Sequence, residues 1–181
     1  MGTSVDRVYL EARGVIDLLK GADEMSLALS AEDVLRKALL LAAASYFEHV
    51  LSGVVEDFVR SKVGHDDMVP SLVKAKAISR QYHTWFDWSG GNANRFFSLF
   101  GERFKSYMAD VVKADVDLDD GIRSFIKVGD LRNRLSHQDF STFPLTLTTD
   151  EIYDLYKKAL VFVRSVPGCL SGCAEEARHD L

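Results

Sequence analysis

Apolar residues recur along this chain at intervals of three and four, a pattern that predicts a succession of amphipathic helices. From Thr3 to Lys20, Val8, Ala12, Val15, Ile16 and Leu19 share one face, and Gly21 follows as a stop. A longer helix is predicted from a cap at Ser30 or Asp33 to about Lys62, with Leu35, Ala38, Leu39, Ala42, Tyr46, Val50 and Val54 on one side. A second apolar set, Leu41, Val55 and Val59, lies nearly opposite, so this helix is either central in a bundle or shared with a partner subunit. Glu48 falls in phase with Leu41 and Val55 at about 100° per residue. A carboxylate in that stripe calls for a cationic or hydrogen-bonding partner.

Gly64 to Pro70 interrupts the periodicity and reads as a loop, and Ser71 to Tyr82 as a third helix. Between Trp85 and Asn94, two tryptophans, a Gly-Gly pair and asparagines suggest a packed loop rather than an aromatic platform for stacking bases. Asn94 is the expected cap of a helix carrying Phe96, Phe97, Phe100, Phe104, Tyr107, Met108 and Val111. Gly101 inside it is expected to be tolerated at a cost of about 1 kcal/mol. The acidic run Asp115–Asp120 does not fit a calcium loop, because Asp120 stands where the turn needs glycine and Ile126 where a glutamate is needed. Asp119 or Asp120 is instead expected to cap a helix from Gly121 to about Ser136. Phe140 to Leu147 is an irregular connector, and Thr148 with Glu151 forms a capping box for a last helix ending before Pro167. Gly168 to Leu181 is expected to fray. No run of strict alternation is long enough for a sheet. The expected class is all-α, with five to six helices in a single domain over residues 1–167.

Composition narrows the chemistry. Lys and Arg number 22 against 27 Asp and Glu, a net charge of −5, so no global field draws the protein to nucleic acid and any such binding must be local. The N-terminus carries Asp6, Arg7 and Glu11 where a signal peptide would need an apolar core, and no uninterrupted apolar run is long enough for a membrane span. The expectation is a cytosolic protein with no membrane contact. Cys169 and Cys173 lie among Gly, Ser and acidic residues with no completing ligands, so they read as ordinary thiols and no metal or cofactor is expected.

Against this acidic background, Arg123, Lys127, Arg132 and Arg134 make one helix locally basic, with Asp130 the single acid between Arg123 and His137. Its end reads Leu131-Arg132-Asn133-Arg134-Leu135-Ser136-His137. Leu131 and Leu135 share the core face with Val128, leaving Arg132, Asn133, Arg134 and His137 able to point away from it. Asn133 and His137 stand four apart, where an amide can orient an imidazole. An imidazole can take the proton of a ribose 2′-hydroxyl, and a guanidinium can grip the phosphate in a fork, so the group suits metal-free cleavage of RNA. The bland alternative is a helix-end histidine beside solvated arginines. Spacing alone is weak support. Random placement puts a histidine five residues after some arginine about one time in three, and Arg60 to His65 repeats the interval across a helix end and a loop.

With these residues in place, the chain resembles the HEPN superfamily, whose nucleases carry Arg-(polar)-x(3–5)-His near the end of a helix. Arg132, Asn133 and His137 match in order. Ala44-Ser45-Tyr46-Phe47-Glu48, and Asn92 to Phe97 with Phe100-Gly101, resemble the branches called RiboL-PSP and MAE_28990/MAE_18760, with a matching core over about residues 30–165. Gln138 departs from the glycine that relatives often carry after the histidine. The resemblance implies an antiparallel helical bundle, a homodimer with a shared cleft, and metal-independent endoribonuclease activity in a toxin or phage-defence role under an antitoxin or regulatory partner. It assigns Arg132 and His137 to catalysis and Asn133 and Glu48 to support. Arg134, nearer His137 on the helical wheel, is a further supporting candidate, and Arg123 and Lys127 are candidate RNA contacts. Arg132 and His137 lie about 140° apart on an ideal helix, which predicts either a distorted helix end or a site composed from two subunits. Two other readings stand beside this one: a non-catalytic module binding RNA or a nucleotide, and a regulatory chain docking a partner through the second face of the long helix.

Overall fold

A computed structural model describes residues 2–63 and 67–179, with side chains through Ala174. Among these the chain is helical without a strand: α1 (Ser4–Gly21), α2 (Met25–Val63), α3 (Met68–Val73), α4 (Asn94–Ser98), α5 (Glu102–Ala114), α6 (Val116–Ser136) and α7 (Thr149–His179). Seven helices, rather than five to six, arise because one expected helix divides. Gly101 adopts φ 92°, ψ 167°, a conformation open only to glycine, and breaks the phenylalanine-rich stretch into α4 and α5. Its left-handed φ gives the glycine a conformational role in place of the tolerated helix-interior position. Asn94 likewise is no cap, because Ala93 precedes the first turn and Asn92 Oδ1 accepts from the Asn94 amide at 3.0 Å.

α2 is the axis. It starts at Met25, before the caps expected at Ser30 and Asp33. The Ser30 hydroxyl donates back to the Ser26 carbonyl, and Asp33 is engaged by Arg36 and Lys37. Leu39, Leu40, Ala43, Phe47 and Leu51 are fully buried, with α1, α6 and α7 packed around them. The second face is covered in part by the chain's own segments: Val55 is buried, beside it Phe58 meets Phe100 edge-on at 5.6 Å, and Val55 and Val59 line a groove closed on its other side by Val73, Trp85 and Phe100. The two-sided pattern therefore marks a central helix. α2 is also the one helix among the described residues long and apolar enough to cross a bilayer, and part of that stretch is buried in the bundle.

α6 and α7 pack antiparallel, so closely at Gly121 that an added Cβ would lie 2.9 Å from the Lys158 carbonyl. Phe125 of α6 is the hub of an aromatic core, with Phe86 at 4.8 Å, Phe162 at 5.1 Å and Phe47 at 5.5 Å between ring centroids. The cap of α6 is Asp115, whose carboxylate accepts from the Leu118 amide at 3.0 Å, so the helix begins five residues before Gly121. Asp119 and Asp120 are used in ion pairs with Arg123 and Lys158 instead. α7 opens on the expected Thr148–Glu151 capping box but does not stop at Pro167. The proline removes one backbone donor, yet the helix continues, and Leu170 and Cys173 are buried beyond the expected stop as Val166 is before it.

The segment between α2 and α4 departs most from expectation. Instead of one helix over Ser71–Tyr82, α3 already includes Met68 to Pro70 and runs into a π turn at Lys74–Ile78, Arg80 turns left-handed at φ 61°, and a 3₁₀ turn follows at Tyr82–Thr84. Gly64 to Asp66, with His65 of the repeated Arg–His interval, lie outside the described residues.

Candidate functional site

The two helices that carry the core also carry the polar residues singled out above. Glu48 of α2 and Arg132 of α6 face each other, Oε2 to Nη2 at 3.8 Å, with side chains 45% and 39% exposed. This pairing supplies the partner that a carboxylate in the apolar stripe requires. At such exposure an ion pair contributes about 0–1 kcal/mol, so it orients the guanidinium more than it stabilises the fold. Leu131, Leu135 and Val128 are buried as their phase requires. Arg132 is consequently held at the seam between helices, with part of its side chain open to solvent.

Asn133 does not orient His137. Its Oδ1 accepts from Arg132 Nη1 at 3.1 Å, so the amide and Glu48 hold the same guanidinium from two sides. A small recess beside them is lined by Glu48, Arg132, Asn133 and His83 together with Tyr82, Trp88 and Phe125. His137 does not line it. The helix runs undistorted to Ser136, and His137 is its C-terminal cap at φ −101°, ψ 0°, its amide donating to the Asn133 carbonyl and its side chain exposed. Arg132 and His137 of one subunit therefore do not share a pocket.

The other basic residues separate from this group. Arg134 is exposed, with its guanidinium 5.8 Å from the Phe143 ring centroid. Arg123 and Lys127 border a shallow cleft on the far side of Trp88, where Arg123 also meets Asp119 at 2.8 Å. Trp88 borders both recess and cleft, and its indole Nε1 donates to the His83 carbonyl at 3.0 Å. Trp85 is buried with its indole donating to the Ala77 carbonyl, so this aromatic loop is packing and not an open platform.

Two contributors carried no signal in the periodicity. Tyr82 is buried, and desolvation, reinforced by the Glu48 carboxylate, pushes its phenol well above the ordinary range, so the hydroxyl remains a neutral donor. Lys37 is 1% exposed on α2, and its ammonium donates to Asp33 at 2.7 Å and to the Phe140 carbonyl at 2.9 Å. It thereby ties the connector that follows His137 back to the core. Hydrogen bonds from Lys37, then Arg36, hold the Asp33 carboxyl below its usual range. A depressed carboxyl contributes stability above its unfolded value of about 3.9, which is lost as pH falls through the lower folded value. Wild type is therefore expected to be more stable to urea than Asp33→Asn at pH 6, with the difference shrinking below about pH 4. A constant difference across that range would contradict the linkage.

Cys169 and Cys173 are free thiols, and burial pushes the Cys169 thiol up, away from the reactive range. Among the described residues, no three His, Cys, Asp or Glu side chains are grouped to hold a metal ion.

The described chain is thus a strand-free bundle whose central helix sets a glutamate against an Arg-Asn pair near the end of a second core helix. The RiboL-PSP-HEPN family model matches residues 10–171, and the chain belongs to that family. HEPN modules commonly act as ribonucleases. No curated protein and no solved structure matches the chain.

Proposed function

We propose that the protein is a metal-independent endoribonuclease acting as a cytosolic homodimer, in a toxin or phage-defence role that an antitoxin or regulatory chain holds in check. The observation that carries this reading is the convergence of Glu48 and Asn133 on the Arg132 guanidinium, five residues before an exposed histidine. With Asn133 Oδ1 on one terminal nitrogen and the Glu48 carboxylate 3.8 Å from the other, the guanidinium is biased toward the recess and keeps N–H groups free for a forked contact with phosphate. His137 of a second copy, brought across the cleft, would complete the site with an imidazole. Arg134, and Arg123 with Lys127 beyond Trp88, would hold the flanking backbone.

In the reaction, the 2′-oxygen of RNA attacks the adjacent phosphorus as an imidazole removes its proton. The bond from phosphorus to the 5′-oxygen breaks as that oxygen is protonated, and Arg132 stabilises the charge gathered on the phosphoryl oxygens. The products are a 2′,3′-cyclic phosphate and a 5′-hydroxyl. Single-stranded RNA incubated with the protein is expected to yield these ends, and a 2′-deoxy substitution at the cleaved position to block it. Equal cutting of the deoxy substrate would sink the mechanism.

One observation favours a second reading. Because His137 does not line the Arg132 recess of its own subunit, a chain that stays monomeric holds a phosphate site without that imidazole, which is a module that binds RNA or a nucleotide and does not cut it. Sedimentation distinguishes the two, since RNA binding by a monomer with no cleavage products favours the binding module.

A further inference from the structure

His83 lines the same recess as Arg132, Glu48 and Asn133, although it lies 49 residues from Arg132 in sequence. Its place is built. Gly129, one turn before Arg132 on α6, leaves its face bare, and the Trp88 indole fills that space so closely that a Cβ there would come within 2.0 Å of Trp88 Cζ3. Trp88 Nε1 in turn donates to the His83 carbonyl at 3.0 Å. Tyr82, immediately before it, is buried against Phe86 and Trp88, each at 5.7 Å between ring centroids. The backbone of His83 is thus tied to the helix that carries Arg132, while its imidazole is exposed and makes no hydrogen bond or ion pair among the described residues. Tyr82 adds a second polar group at this place: the residue is 9% exposed overall, lines the recess, has Glu48 and Arg132 as its charged neighbours, and its hydroxyl makes no hydrogen bond among the described residues while remaining open to solvent.

We propose that His83 is a second catalytic imidazole, acting on the phosphodiester that Arg132 of its own subunit holds. The proposal rests on the ribonuclease reading above. Cleavage moves two protons, one off the 2′-hydroxyl as the O2′–P bond forms and one onto the 5′-oxygen as the P–O5′ bond breaks. His83 and His137 divide these between them: one imidazole leaves the step protonated and the other deprotonated, and exchange with water restores both. The Tyr82 hydroxyl donates to a substrate oxygen inside the recess.

The test compares wild type, His83→Ala and His137→Ala on a labelled single-stranded RNA of mixed sequence, with kcat and KM measured from pH 5 to 9. His83→Ala is expected to lower kcat by about 10²–10⁴-fold with KM little changed, and to flatten one limb of the bell-shaped pH profile while its thermal melt stays at the wild-type value. A packing role for His83 would move the melt and leave both limbs in place, and that result would overturn the proposal. So would wild-type kcat in His83→Ala when His137→Ala is inactive, which refutes the role of His83 and leaves the ribonuclease reading standing. Absence of cleavage by wild type would remove both.

Discussion

Arg132→Ala is expected to reduce RNA cleavage by about 10²–10³-fold, the usual loss when one donor to a developing oxyanion is removed. Almost none of this should come from unfolding. The Glu48 contact at 3.8 Å joins two side chains that are each more than a third exposed, so its loss changes stability by less than about 1 kcal/mol. Arg132→Lys is not expected to restore the rate. An ammonium keeps the charge but lacks the planar fork that Glu48 and Asn133 grip from two sides. Glu48→Gln should fall between, since the guanidinium remains and loses only part of its orientation. Single-turnover rates beside thermal melts check the series. An Arg132→Ala variant that folds and cleaves at the wild-type rate would remove the phosphate-binding role.

Gly129→Ala is expected to be among the most destabilising small substitutions in the chain. The added methyl would sit 2.0 Å from Trp88 Cζ3, far inside van der Waals contact, so the indole must swing out or α6 must shift. Overpacking of this kind costs about 1–3 kcal/mol, and displacing the indole also breaks its hydrogen bond to the His83 carbonyl. In a chain of this size each kcal/mol lowers the melting temperature by about 2–4 °C. Pairing Gly129→Ala with Trp88→Leu, which removes the clashing ring, should recover part of that loss, a non-additivity that identifies the contact. A melt for Gly129→Ala within 1 °C of wild type would contradict the packing.

The residues that proved readable in advance were those on long periodic helices. Val128, Leu131 and Leu135 set the phase of α6, whereas the two-sided pattern of α2 asked only for some polar partner to Glu48; the approach of Arg132 to it at 3.8 Å is set by how the two helices pack. Local chemistry that depends on tertiary burial was not readable. Gly101 has the same symbol whether it sits inside a helix or breaks one, and only its φ of 92° separates the two. Pro167 looked like a stop because the buried surface of Val166, Leu170 and Cys173 that continues the helix lies on both sides of it. Asp115 won the cap from Asp119 and Asp120 because those two had cationic partners, one of them Lys158 on α7. Asn133 was assigned to His137 from spacing, yet the neighbouring guanidinium holds its oxygen. Tyr82 and His83 lie in a 3₁₀ turn at the end of a stretch expected as one regular helix over Ser71–Tyr82, so their place at the recess was not readable. The one available hint was a glycine within the apolar face of α6, which asks for a bulky ring from elsewhere in the chain.

Under the proposed function, this HEPN domain cuts RNA through the histidine that closes α6. The most direct measurement incubates labelled single-stranded RNA with wild type and His137→Ala side by side in EDTA, with matched folding verified by circular dichroism. Wild type is expected to cleave at a rate that chelation does not slow, and the variant to lose about 10²–10⁴-fold. Equal cleavage by both proteins, or activity that vanishes with chelator and returns with a divalent cation, would contradict it.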